Sequence, residues 1–434
     1  MKRFLVSLTG LGLLGSLFFV ACSSSSTPND ALLIVDEEVI YTISTDDWKR
    51  TKIFESGEDK NRYSPSWSPN GDSILFQVRD GDEDQLFVMD ADGANLTQLT
   101  FLSEDESIHH PSLDYFPTWS PNGDSILFEV RDGDEDQLFV MDADGTNLTQ
   151  LIALDKEKSI DWPSWSPNGD SILFKAYVAG EGSQLFVIDA DGTNLTQLTF
   201  LEENKSFELR HNTRFSSPSW SPNSDYIMFK AYVPDEGYQL FVMDADGTNF
   251  IVLNEDEFTG HPSWSPNGDY ILLEDGYQLF VMDADGANLT QLTFLEENKI
   301  IDRPLWSPNG DYILLEDGYQ LFVMDADGAN LTQLTFLEEN KVIDRPLWSP
   351  NGDSILFQVR DGDEDQLFVM DADGDNLTQL TFLNEEEILS HLSWSPSGEY
   401  IQFNVDGEYK IFDLMEKMIV SIGSADFMAW GTGT

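Results

Sequence analysis

His261, Arg303, Arg345 and His391 are the residues best suited to chemistry in a chain with ten arginines and five histidines against 79 Asp and Glu. Each lies three residues before the tryptophan of a recurring Trp-Ser-Pro tripeptide, so all four occupy one position in successive copies of a repeat. Guanidinium forks and imidazolium rings make charge-assisted hydrogen bonds to carboxylates, so the four form a candidate anion-binding arc. In the other copies the same position holds Ser64, Phe116, Trp162 and Ser217. Phe116 and Trp162 thereby add aromatic contact surface at the same position in two other copies.

Other chemistries find fewer parts. The histidines are His109, His110, His211, His261 and His391, and none shows an i, i+4 metal spacing. A histidine metal site would need residues converging from separate copies. The loops at 80–84, 132–136 and 361–365 begin like an Asp-x-Asp-x-Asp calcium loop but lack the glycine and distal glutamate of an EF-hand. They read first as solvated turns, with bound Ca²⁺ as the alternative. No cofactor and no catalytic residue is assigned.

These residues are positioned by the repeat. Trp-Ser-Pro occurs eight times, at Trp67, Trp119, Trp165, Trp220, Trp264, Trp306, Trp348 and Trp394, with spacings of 42 to 55 residues. Asn-Gly-Asp or a near variant follows each tryptophan, then an apolar run such as SILF, then a second run such as QLFVMD. In most copies the turn Ala-Asp-Gly and the run NLTQLT come next. Residues 269–310 and 311–352 differ only by Ile300 against Val342, which marks a recent duplication. Asn-Gly is expected to supply the positive φ angles of a hairpin turn between a first strand ending near Trp67 and a second at 73–78. A third strand is expected at 85–90 and a fourth at 96–100. One tryptophan at a fixed strand position is a packing requirement, and the Asn-Leu-Thr triplets read as turn chemistry rather than glycosylation sites.

Four antiparallel strands per unit of this length are the signature of an all-β propeller. Residues 32–54 align without gaps on 271–293 and supply strands two to four of a further unit, whose first strand is completed by Phe427–Trp430. Pairing of the two termini then closes a ring of nine blades; eight, with a terminus outside the ring, is the alternative. In each blade the first-to-second and third-to-fourth turns share one face, the constant face. All length variation falls on the opposite, variable face, together with Tyr115, Phe116, Trp162, Phe207 and Phe215. Loop variation gathered on one face marks a binding face. The arc position is expected to begin each innermost strand, at the mouth of the central channel on that face.

Composition narrows the partner. A formal net charge of -56 repels polyanions, which excludes nucleic acid. Apolar residues at 41% are too many for a disordered acidic chain, so the charge decorates a packed core. One cysteine rules out a disulfide framework. It follows a positive start and an apolar stretch, and Phe19-Val20-Ala21-Cys22 resembles the bacterial lipobox. Residues 1–21 are thus expected to be a lipoprotein signal peptide, 22–30 a polar tether starting at a lipidated Cys22, and 31–434 the propeller.

PSWSPNGDSILF followed by QLFVMDADGxNLTQLT resembles the TolB-like repeat of bacterial envelope proteins, a relative of the WD-repeat propellers. TolB carries an α/β domain before its propeller, whereas nine residues separate Cys22 from the first strand here. The resemblance implies a TolB-like lipoprotein of the cell envelope, attached to the membrane through its lipid alone. The expected function is noncatalytic binding of an envelope protein or glycan by a monomeric propeller. The alternatives are an enzyme like the metal-dependent lyases of acidic sugars, which place histidines in a propeller channel, and a purely structural surface protein.

Overall fold

The computed structural model describes residues 30–431 except 37–38, 56–59, 81–82, 104, 109–116, 134, 155–159, 179, 201–217, 234–236, 255–261, 276–277, 295–301 and 339. It also leaves aside the side chains of a few residues flanking these gaps, including that of Arg303.

The described strands form nine antiparallel sheets, one per unit, arranged as a propeller. The Trp348 blade shows the pattern, with strands Lys341–Trp348, Ser354–Asp361, Glu364–Asp371 and Thr378–Gln379 paired in sequence order from inside to outside. In the ninth sheet Phe427–Trp430 pairs as the innermost strand with Leu32–Asp36, followed by Val39–Ile43 and Arg50–Glu55. The register runs from Leu32 opposite Trp430 to Val35 opposite Phe427. The two termini therefore close the ring, and the eight-bladed alternative falls. Arg50 reinforces the closure: it pairs with Asp36 at 2.9 Å and donates to the carbonyls of Ile422 and Ser424 of the preceding blade, each at 2.7 Å.

Each sheet buries both faces against its neighbours, which is why its second strand reads as an unbroken apolar run. Ile74, Phe76 and Val78 pack on Leu33, Val35 and Ile40 of the split blade. Leu75 points the other way and packs with Ile126, Phe128 and Val130. Across the middle of the blades Phe76 stacks on Phe87 at 5.8 Å, Phe128 on Phe139 at 5.5 Å and Phe357 on Phe368 at 5.9 Å. Such cross-strand aromatic pairs stabilise a sheet beyond their area.

The turns differ from expectation in one respect. Gly71 has φ +72°, but Asn70 is not in the left-handed region. Ser68 O accepts from Gly71 N, and Asn70 turns its amide oxygen to the Ser68 hydroxyl and the Asp72 amide. The residue after the asparagine meets the conformational demand, glycine in most copies and Ser224 at φ +67° in one, while asparagine supplies hydrogen bonds. The Asn of each DADG turn does adopt positive φ, as at Asn95 and Asn330, and Asn95 donates its side chain to Asp90. A Cβ on Gly93 would lie 2.8 Å from that of Ile53 in the preceding blade, so this glycine also sets the blade spacing.

The fourth strand is shorter than expected, with only Thr97–Gln98 in the ladder. Beyond it, Thr100 Oγ1 accepts from Leu86 N at 2.8 Å and donates to Gln85 Oε1 at 2.9 Å, and Gln85 Nε2 reaches the carbonyl of Leu102. The side chains take over the pairing that the backbone abandons.

Candidate functional site

The arc position lies inside the innermost strand, not at its start. In the Trp67, Trp165, Trp306, Trp348 and Trp394 blades, pairing with the second strand slips just before the tryptophan. In the Trp348 blade Asp344 faces Gln358 and Leu347 faces Leu356, so Arg345 and Pro346 together oppose Phe357. This is a β-bulge, and its proline has no N–H to lose from the ladder. The first bulge residue is left-handed, at φ +53° in Trp162, +54° in Arg345 and +53° in His391. Such angles are uncommon for residues other than glycine, and they mark three sites where the backbone conformation is kept while the side chain changes.

The three side chains have different surroundings. The Trp162 ring has Lys175 Nζ 4.3 Å from its centroid, and that buried ammonium also pairs with Asp161 at 3.0 Å. The ring is thus already engaged by an internal cation. Arg345 is half exposed, and its Nε lies 3.6 Å from Asp344 Oδ2, an exposed pairing of little strength. His391 is exposed, shares a hydrogen bond of 3.0 Å between Nδ1 and Ser390 Oγ, and lies 6.0 Å from the Tyr409 ring. Arg345 and His391 therefore stand on adjacent blades at equivalent positions, each open to a ligand. The backbone of Arg303 lies in the corresponding strand Asp302–Trp306. Cys22, Tyr115, Phe116, Phe207, Phe215, His261, His109, His110 and His211 fall outside the described residues.

The acidic loops are largely internal in their pairing. Asp84 and Asp136, both buried, accept bidentate hydrogen bonds from Arg79 and Arg131, and Asp365 pairs with Arg360 at 2.9 Å. Among the described residues no three His, Cys, Asp or Glu side chains are grouped to hold a metal ion.

Two features escaped the sequence reading. Glu129 stands where Gln77 and Gln358 occur in sibling blades, is 4% exposed, and has no hydrogen-bond partner on either carboxylate oxygen. Burial, reinforced by Asp136 and Asp161 and opposed by Arg131, pushes its carboxyl up to about 8. The signal was one letter, FEV in place of FQV. The second feature is on the constant face, where Tyr226, Tyr270, Tyr312 and Tyr400 replace the serine that opens the second strand elsewhere, as at Ser73 and Ser354. Clefts open at the first three of these tyrosines.

A eukaryotic initiation factor structure superposes with a TM-score of 0.61 at 14% identity, covering 93% of this chain and 96% of that one, which shows the shared fold. TolB from Acinetobacter baumannii matches with a TM-score of 0.31 at 16% identity, over 73% of this chain and 76% of that chain. An uncharacterized peptidase, YuxL of Bacillus subtilis strain 168, is 33% identical over 81 residues, 18% of this chain. The matched segment covers only 11% of that relative's length. Residues 107–276 and 272–412 match the TolB beta propeller domain, and the chain belongs to that family.

Proposed function

We propose that the protein is a noncatalytic scaffold of the cell envelope, held to a membrane by a lipid on Cys22, that binds an envelope protein or glycan at the channel on its variable-loop face. The observation that carries this reading is the left-handed bulge, which presents Trp162, Arg345 and His391 from one backbone position with three different side chains. A site that keeps its scaffold and varies its chemistry is built for recognition. Arg345 and His391 are suited to a carboxylate of the partner, as in an acidic peptide or an acidic sugar.

The entry of the chain supports the same orientation. Asp30 accepts a hydrogen bond from Ser397 N, in a turn of the constant face, and Ala31 O accepts from Gly431 N. The nine residues 22–30 span at most roughly 30 Å. A lipid on Cys22 would thus hold the constant face toward the membrane and turn the variable face outward.

The test uses glycine, which tolerates positive φ. Arg345→Gly with His391→Gly removes both side chains while relaxing the backbone, so the melting temperature should hold or rise slightly. Partner recovery from native membranes should fall at least about tenfold. Equal recovery by wild type and double variant would overturn the reading.

A further inference from the structure

The clefts of the constant face repeat in successive blades. The first, about 560 Å³, lies between the Trp220 and Trp264 blades and is lined by Tyr226, Asp244, Asn249, Phe250 and Asp285. The second, about 280 Å³, is lined by Tyr270, Asp283, Asn288, Trp306 and Asp327. The third, about 260 Å³, is lined by Tyr312, Asp325, Asn330 and Asp373. Each takes an aromatic wall and one carboxylate from one blade and a second carboxylate from the DADG turn of the next.

The chemistry of all three is the same. Among the described residues no Lys or Arg lines any of them. The turns use one oxygen of each carboxylate: Asp283 Oδ2 accepts from Asn288 and Asp327 Oδ1 from the Ala329 amide. Asp325 and Asp373 are committed in the same way, to Asn330 and to the Asp375 amide. An aromatic face beside two carboxylates with no internal cation attracts a positive group by both cation–π and ionic terms. The Tyr226 hydroxyl senses that field: burial first, then the charges of Asp244, Asp285, Asp225 and Asp269, hold its pKa above the ordinary phenol value. The two smaller clefts fall below the roughly 300–1,000 Å³ of drug-sized ligand sites, which suits single side chains better than a whole small molecule.

We propose that this row of clefts is a docking surface for a basic polypeptide segment, whose lysine or arginine side chains enter adjacent clefts. Charge complementarity selects the occupant, because every charge among the described residues lining the clefts is negative and the chain as a whole carries -56. Adjacent clefts favour a chain bearing several cations, since the second side chain binds at high effective concentration once the first is seated. The site is distinct from the channel arc, so its failure leaves that reading untouched.

Bulk attraction of a polycation to an acidic protein is separated from cleft binding by the tyrosine variants, which keep the charge. Tyr270→Ser with Tyr312→Ser installs the residue found at Ser73, Ser125, Ser171 and Ser354, which those blades already accommodate. Anisotropy of a fluorescent lysine-rich peptide on the full chain, at about 0.15 M salt where longer-range attraction is screened, should show at least about tenfold weaker binding for this variant. Tyr270→Phe with Tyr312→Phe should bind like wild type. Asp327→Asn with Asp373→Asn, which keeps the turn acceptors, should weaken binding by a similar factor. Unchanged affinity of the serine variant would reduce the effect to net charge and overturn the proposal. So would absence of peptide binding, or preference for a neutral oligosaccharide or for phosphatidylethanolamine vesicles over the peptide.

Discussion

The Trp67 and Trp119 blades are neighbours with nearly the same sequence, yet they differ in how they hold their outer edge and in what they bury. From Ser68 to Phe101 and from Ser120 to Ala153 the substitutions are Gln77 to Glu129, Ala94 to Thr146, Thr100 to Ile152 and Phe101 to Ala153. Both keep the same turns and the same Arg–Asp pair, Arg79 with Asp84 and Arg131 with Asp136. At the outer edge they part. Thr100 carries a hydroxyl that satisfies Leu86 N and Gln85, so the outermost ladder stops at Gln98 and Phe101 is left 81% exposed. Ile152 has no hydroxyl to offer, and the ladder runs on through Thr149–Ala153. One oxygen atom thus decides whether side chains or main chain close the sheet. The threonine form recurs at Thr199, Thr293, Thr335 and Thr381, each followed by a phenylalanine about four-fifths exposed, Phe200, Phe294, Phe336 and Phe382.

The largest test of this pair comes from opening the ring on one side of it. Deleting residues 425–434 removes the strand that pairs with Leu32–Val35 and uncovers Trp67, whose ring lies 3.5 Å from where a Cβ of Gly431 would stand. Four lost ladder positions and the apolar contacts of Phe427, Met428 and Trp430 together predict a loss of about 5 kcal/mol or more. Hydrogen exchange should then accelerate in 74–78 of the Trp67 blade before 126–130 of the Trp119 blade. Unchanged melting and equal exchange in both would show that closure contributes nothing.

The next effect concerns the buried position. Glu129 has its carboxyl raised from 4.5 to about 8, so the folded state holds its proton in a range where the unfolded chain has released it. The stability this group contributes is therefore fully present below about pH 4.5 and is lost as pH rises through about 8. Glu129→Gln, which reproduces the Gln77 of the sibling blade, should flatten that fall, with a difference on the order of 4 kcal/mol between acid and pH 8 by linkage. Chemical denaturation across that range measures it, and parallel pH profiles for the two proteins would show that Glu129 is ionised at no cost.

The smallest effect is at the edge. Thr100→Val strands the Leu86 amide, while Gln85 Oε1 keeps the Leu102 amide as its donor, and should cost about 1–3 kcal/mol. Converting the edge fully, by Thr100→Ile with Phe101→Ala, should cost less, because the ladder can extend as it does beside Ile152. A double variant less stable than the single one, in urea titration, would break the claim that the hydroxyl is the deciding group.

Much of the architecture was legible in the repeat. Eight Trp-Ser-Pro copies and a terminal half-unit are enough to count nine blades, because hairpin turns and apolar alternation are local and each blade repeats them. The split blade followed from gapless alignment of 32–54 and from the tryptophan at 430, both properties of a linear string. The candidate arc was located in sequence, but its bulge was not, since a slip in register depends on which residue of the second strand lies opposite. The short outer strand was missed because the Thr100 hydroxyl acts on a partner 14 residues away, and the charge state of Glu129 because it depends on burial in the assembled ring and on Asp161 of an adjoining blade. The clefts at Tyr226, Tyr270 and Tyr312 exist only where the turn of one blade meets the wall of another. Within one unit, the periodicity of side chains determined the structure; between units, curvature and contact decided what each residue would face, and that information is carried by the closed ring rather than by any single repeat.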